Sequence, residues 1–224
     1  MKLATTRQVR RNGTTTVELA VVIIIFTMLM FGILVLTIFS FAFEPSSIDR
    51  SLIAPGILWV AFSFAAILGL NRSLAMEMDN ECLQGLLLAP LERGELYLGK
   101  VASNFTFMLI AELIVLPVFV IFNNLKFNLQ FLEIAGIAVL GTLAIAAIGS
   151  ILSTISANTR MKEVMLPVLQ IPLTVPVVIA AVEATAMVLS GETKGISSWL
   201  YLLAGFSIVY LTVCYLVFEF VVED

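Results

Sequence analysis

The chain has 224 residues, of which 60% are hydrophobic and 12% are charged. Its mean hydropathy of +1.08 excludes an ordinary soluble domain, in which about a quarter of the residues are charged. The net charge is −4 with no basic patch, which excludes nucleic acid as a partner. Histidine is absent, so the commonest metal and haem ligand and the usual general base are missing. We therefore expect no catalytic residue, no metal site and no cofactor on this chain.

The apolar runs are about twenty residues or longer and lack the alternation of barrel strands. Backbone groups in lipid must be satisfied within each segment, so these runs predict helices. The predicted fold class is all-α, a polytopic membrane protein with six transmembrane helices. The predicted spans are 19–43, 52–71, 101–122, 131–156, 164–189 and 197–218.

Basic residues in the loops predict the orientation. With both termini in the cytoplasm, nine Lys and Arg residues lie inside and three lie outside. Positive residues accumulate on the cytoplasmic side, so this is the predicted arrangement. The inside set is Lys2, Arg7, Arg10, Arg11, Arg72, Arg93, Lys100, Arg160 and Lys162, and the outside set is Arg50, Lys126 and Lys194.

The first 18 residues resemble a type IV prepilin signal, with Gly13 at the cleavage point and Glu18 five residues after it. Such signals normally precede a soluble pilin domain, whereas five more spans follow here. We therefore read 1–18 as a cytoplasmic leader, with processing as the alternative.

The longest polar interruption of the chain covers 76–100. Asp79 or Asn80 can cap a short helix there, and Pro90 can end it. Leu83, Leu86 and Leu87 fall at i, i+3 and i+4, which predicts an amphipathic helix between the second and third spans. The rim of this helix is acidic, whereas helices that lie on lipid headgroups carry Lys and Arg. The pattern thus favours a cytoplasmic protein partner.

Three glutamates lie within the predicted spans. Glu112 is near the middle of the third, where an ionised carboxylate costs a few kcal/mol, so we expect it to face the bundle interior. It is either a pathway or gating residue, or a protonated carboxyl bonded to the backbone of a neighbouring helix. Glu133 and Glu183 lie near the outer ends of their spans, where snorkelling to water is the simpler explanation.

The fourth and fifth spans have unusual compositions. Pro167, Pro172 and Pro176 interrupt the fifth span, which predicts a helix that either moves or is statically bent. Small residues concentrate in the fourth span and predict an internal packing helix. They are Gly136, Ala138, Gly141, Ala144, Ala146, Ala147, Gly149 and Ser150.

Cys82 lies in the cytoplasmic loop and Cys214 lies inside the last span. A disulfide between them would require a helix to move through the bilayer. We expect two free thiols.

Two features carry a resemblance to a known family. The segment 77–100, with an acidic stretch, a Leu-Leu-Leu-x-Pro element and then Gly99 and Lys100, resembles the coupling loop of ABC-2 type exporter subunits. More narrowly, the whole of 55–100 together with AELIVLPVF and LPVLQIPLTVPVVIAA is similar to the CcmB family, over about 31–189. That family supplies the membrane subunit of the haem-exporter ABC complex of cytochrome c maturation. The purely apolar 20–25 departs from the charged lead-in helix usual in such subunits.

The resemblance implies a single ABC-2 type transmembrane domain over 1–224, in a bacterial inner membrane. Its implied partners are a second copy of itself, cytosolic ABC ATPase chains, a haem-handling membrane subunit, an external haem chaperone and membrane lipids. ATP would be bound by the ATPase, and its hydrolysis would release the haem-loaded chaperone. This chain has no G-x-x-x-x-G-K-[ST] loop, in keeping with a permease subunit rather than an enzyme.

On this reading, the ATPase docks on the amphipathic helix of the loop. The docking residues would be Glu81, Leu83, Leu86, Leu87, Pro90, Glu92 and Arg93. The alternatives are an ABC-2 permease for a lipid, glycan or drug, and a membrane scaffold without an ATPase. A hydrolase built on Glu112 and Glu183 is disfavoured because the two lie far apart in depth and no serine motif or metal cluster accompanies them.

Overall fold

The computed structural model describes residues 2–42, 50–79, 92–123, 129–157, 162–191 and 195–221. Within these ranges the chain is helical and has no strand. The six helices are α1 (Lys2–Ala42), α2 (Arg50–Asp79), α3 (Arg93–Phe122), α4 (Leu129–Ala157), α5 (Lys162–Ser190) and α6 (Ile196–Val221). All six are long and apolar enough to cross a membrane. The prediction of an all-α protein with six spans is confirmed.

Helices α2 and α3 extend beyond the apolar runs that predicted them. Helix α2 continues to Asp79 rather than ending at 71, and α3 begins at Arg93 rather than at 101. The hydropathy pattern marks only the end of the apolar run. A helix can continue beyond that run where Met, Leu, Glu and Lys follow, because these residues form helices well. The loop predicted over 76–100 is therefore shorter.

The short amphipathic helix predicted in that loop lies outside the described residues, as does Asn80, one of its two predicted caps. The other predicted cap, Asp79, is the last residue of α2. Helix α1 begins at Lys2, so the backbone of the predicted leader is helical and continuous with the first span.

Helix α4 is the centre of the bundle and packs against α2, α3, α5 and α6. In the apolar part of α4, 72% of the residues are buried in the bundle, against 17% in that of α6. A Cβ atom at Gly141 would collide with the Trp59 ring, and one at Gly149 would collide with Leu70. Small residues thus allow α2 to approach α4 closely, and the prediction of an internal packing helix is confirmed.

On the other side of the bundle, α1 packs against α2 and α3. A Cβ atom at Gly69 would meet the Met28 side chain of α1. Helix α5 is joined to α2 by a buried hydrogen bond of 3.0 Å from Trp59 Nε1 to Thr185 Oγ1. Helix α3 packs against α1, α2, α4 and α6, and the polar side chains of the candidate site lie on α3 and α4.

Candidate functional site

Glu112 is buried in the middle of α3, with 7% of its surface exposed. Its Oε1 accepts a hydrogen bond of 2.5 Å from Thr142 Oγ1 on α4. Its Oε2 has no hydrogen-bond partner among the described residues. The expectation that Glu112 faces the bundle interior is confirmed. Its contact with a neighbouring helix is made to a side-chain hydroxyl rather than to the backbone.

A small cavity lies beside the Glu112 carboxyl, between α1, α2 and α3. Apart from Glu112, the residues that line it are apolar and include Met28, Gly32, Phe62 and Met108. Glu112 therefore brings a carboxyl to a place where three helices meet.

Further polar contacts join α3 to α4 between Glu112 and the end of the bundle at which α3 begins. Asn104 Nδ2 donates to Ser150 Oγ at 2.9 Å, and both residues are buried. Lys100 Nζ donates to Thr154 Oγ1 at 3.2 Å. We call this set the polar seam. It consists of Lys100, Asn104 and Glu112 on α3, and Thr142, Ser150 and Thr154 on α4.

Most of the polar seam was not predicted from the sequence. The sequence does contain a pattern that indicates it. Lys100, Asn104 and Glu112 are separated by four and eight residues, and Ser150 and Thr154 are four residues apart. Residues at such spacings share one face of a helix. Two polar stripes in neighbouring apolar spans therefore indicate a hydrogen-bonded helix pair.

Most of the predicted docking residues lie outside the described part of the chain. They are Glu81, Leu83, Leu86, Leu87 and Pro90.

The two described docking residues stand at the start of α3. Glu92 is exposed and precedes the helix, and its carbonyl accepts from the backbone N–H of Glu95 at 3.0 Å. Arg93 Nη1 donates to the carbonyl of Glu219 on α6 at 3.2 Å. Arg93 therefore connects two helices at this end of the bundle.

The remaining candidates lie on α5. Pro167, Pro172 and Pro176 are all inside one continuous helix. The hydroxyl of Tyr210 on α6 donates to the carbonyl of Leu173, in the same stretch, at 2.9 Å. Glu183 is exposed, so it does not belong to the buried polar seam.

In the described part of the chain, no group of three His, Cys, Asp or Glu side chains could hold a metal ion. The polar groups that lie together are carboxyl, amide, hydroxyl and ammonium groups that bond one helix to another. Such contacts can position helices relative to one another.

The fold and the polar seam define a multi-pass α-helical membrane protein whose helices are joined by buried hydrogen bonds. The CcmB protein family model matches residues 15–223 of this chain. The chain therefore belongs to the CcmB family, which confirms the resemblance seen in 55–100. The match includes the apolar start of the first span.

Three bacterial relatives, each named Heme exporter protein B, are similar to the chain over most of its length. The protein of Haemophilus influenzae is 29% identical over 153 residues, which is 68% of this chain and 69% of the relative. That of Pseudomonas aeruginosa is 25% identical over 173 residues, or 77% of each chain. That of Paracoccus denitrificans is 29% identical over 156 residues, or 70% of this chain and 71% of the relative.

Proposed function

We propose that this chain is the membrane subunit of a haem-export complex that serves cytochrome c maturation. The observation that carries the proposal is membership of the CcmB family together with relatives named Heme exporter protein B over two thirds or more of their length. The chain would act as one transmembrane domain of the ABC-2 type. It would lie in a bacterial inner membrane with both termini in the cytoplasm.

ATP would be hydrolysed by a separate cytosolic chain. The absence of a phosphate-binding loop from the whole sequence supports this division of labour. The docking site would be the segment 80–91, which connects the end of α2 to the start of α3. Leu83, Leu86 and Leu87 would fill a groove of the ATPase, while Glu81, Glu92 and Arg93 would set the register.

In the proposed mechanism, movement of the ATPase is transmitted through the helices of this chain. Closure of an ATPase dimer would displace the segment 80–91 of two copies of this chain. Helices α2, α3 and α5 would carry the motion outward, with Pro167, Pro172 and Pro176 weakening α5 at three positions. The result would be release of a haem-loaded external chaperone, assisted by a haem-handling membrane subunit. The absence of histidine favours this role over haem binding by the chain itself.

Glu112 would be the gating residue of this mechanism. Its carboxyl bonds to Thr142 on α4 and faces a cavity bounded by α1, α2 and α3. A change in helix positions would therefore alter its surroundings. Replacement by Gln keeps the size and the acceptor oxygen but removes the acid. Glu112→Gln should lower the output of the complex while leaving the ATPase bound. Glu183 is exposed, so its role would be at the surface of α5 rather than in the polar seam.

Co-purification tests the docking assignment. A tagged chain is purified from its native membrane, and the ATPase that accompanies it is measured. Leu86→Asp places a charge among the predicted apolar contacts and should release the ATPase, whereas Leu86→Met keeps the volume and should retain it. Equal amounts of ATPase on both variants would contradict the assignment. A wild-type chain purified with no ATPase would favour the scaffold alternative.

A further inference from the structure

The amino group of Lys100 joins three helices at one end of the bundle. Its Nζ lies 2.6 Å from Glu77 Oε2 on α2 and donates to Thr154 Oγ1 on α4 at 3.2 Å. The Lys100 side chain is only 11% exposed and that of Glu77 is 29% exposed. An ion pair shielded to this degree is stronger and less screened by salt than a pair on an open surface.

Another residue in the first turns of α3, Tyr97, contacts α4 and α6. The hydroxyl of Tyr97 donates to the carbonyl of Ala147 on α4 at 3.1 Å. The ring of Tyr97 packs against that of Phe218 on α6 with the centroids 5.3 Å apart. Together with Lys100, these contacts bind the start of α3 to α2, α4 and α6. The start of α3 cannot shift without moving these neighbours or breaking the contacts.

The Glu77–Lys100 pair also links the helices on either side of residues 80–91, the proposed docking segment. Helix α2 ends at Asp79 and α3 begins at Arg93, so the pair joins the two helices that flank residues 80–91. A displacement of that segment would act on Glu77 through α2 and on Lys100 through α3. Lys100 would pass it to Thr154 on α4, the helix that contacts α2, α3, α5 and α6.

We propose that Lys100 is a positioning residue that transmits displacement of the docking segment to α4 through its contacts with Glu77 and Thr154. This inference rests on the proposed function and deepens it, because it adds the central helix to the path of transmission. Lys100 does not contact haem or ATP in this account. It fixes the geometry through which the ATPase acts on the bundle.

The test uses the tagged full-length chain in cells that lack their own copy, with two readouts. The ATPase retained on the purified chain reports docking, and haem-stained c-type cytochrome reports output. Lys100→Met removes the charge and keeps the stem, Glu77→Gln removes the partner charge, and Lys100→Arg preserves the cation. The double variant Glu77→Lys/Lys100→Glu reverses the pair. Ser103→Ala is the matched control, because Ser103 is exposed one turn along α3 and its hydroxyl bonds to the Lys100 carbonyl in the same helix.

Lys100→Met and Glu77→Gln should retain the ATPase at the wild-type ratio but lower the cytochrome content about fivefold or more, the lower range of coupling between distant sites. Lys100→Arg and the reversed pair should regain most of the output, and Ser103→Ala should match wild type. If Lys100→Met does not accumulate in the membrane, Glu77→Gln makes the same comparison.

Three results would overturn the inference. They are wild-type cytochrome in both single variants, loss of the ATPase in parallel with the cytochrome, and a reversed pair no better than the single variants. Failure of the proposed function itself is read from the wild-type chain alone. If wild type carries no ATPase or does not restore the cytochromes, the proposed function falls and the inference falls with it.

Discussion

The indole N–H of Trp59 donates a hydrogen bond to the hydroxyl of Thr185 at 3.0 Å. The same indole occupies the space left by the missing side chain of Gly141 on α4. Trp59 is only 1% exposed, so α2, α4 and α5 meet at one fully buried ring.

Thr185→Val should destabilise the protein because it leaves the buried indole N–H without an acceptor. A polar group left unpaired in this way costs about 1–3 kcal/mol, and hydrogen bonds between membrane helices are at the lower end of that range. Thr185→Ser keeps the acceptor and is the matched control. Thermal unfolding in detergent should give a lower Tm for the valine variant than for the serine variant. Equal Tm values would show that the bond contributes nothing.

Gly141→Ala should also lower the Tm, because the new methyl group collides with the buried Trp59 ring. Overpacking of this kind costs about 1–3 kcal/mol. Gly136→Ala, on the same helix, is the control: it meets nothing within 4 Å and gains up to about 1 kcal/mol of helix propensity. The same unfolding assay compares the two, and a Gly141→Ala protein as stable as Gly136→Ala would contradict the packing described here.

Thr142→Val should weaken the α3–α4 contact, because it removes the hydroxyl that donates to Glu112. Both carboxyl oxygens of Glu112 would then lack a partner among the described residues. We expect a loss of about 1–3 kcal/mol, measured as a lower Tm. In the double variant with Glu112→Leu, the penalty of Thr142→Val should disappear, since no buried carboxyl remains to be satisfied. A full penalty in that background would exclude this explanation.

Cys214 should resist thiol reagents in the folded protein, since it is buried in α6 with 8% of its surface exposed. The measurement is maleimide labelling in detergent in a Cys82→Ser background, before and after denaturation. A cysteine at the exposed position Ser198, near the start of α6, is the positive control. Labelling of Cys214 as fast as this control would contradict its position.

The sequence predicts the fold because length and hydropathy are sufficient to identify membrane spans. It also predicts that Glu112 faces inward, because the cost of exposing a carboxylate to lipid leaves few alternatives. The small residues of the fourth span predict an internal packing helix, and the Trp59 ring, which fills the space that a side chain at Gly141 would need, gives the reason. Each of these predictions depends on the sequence of a single helix.

Contacts between helices are harder to predict. A threonine in a helix usually bonds its hydroxyl to the backbone four residues earlier, as Thr27 does with Ile23. The sequence therefore does not say that Thr142 instead reaches Glu112, or that Lys100 reaches Thr154. The ends of α2 and α3 also differ from the predicted span limits, because helix propensity, rather than hydropathy, extends these helices beyond the apolar runs.

The central claim is that this chain serves haem export for cytochrome c maturation. Its most direct test is the haem-stained c-type cytochrome content of a deletion strain, with and without the wild-type chain supplied in trans. We expect c-type cytochromes to disappear on deletion and to return with the wild-type chain. Normal c-type cytochromes in a deletion strain that has no second copy of the gene would contradict it.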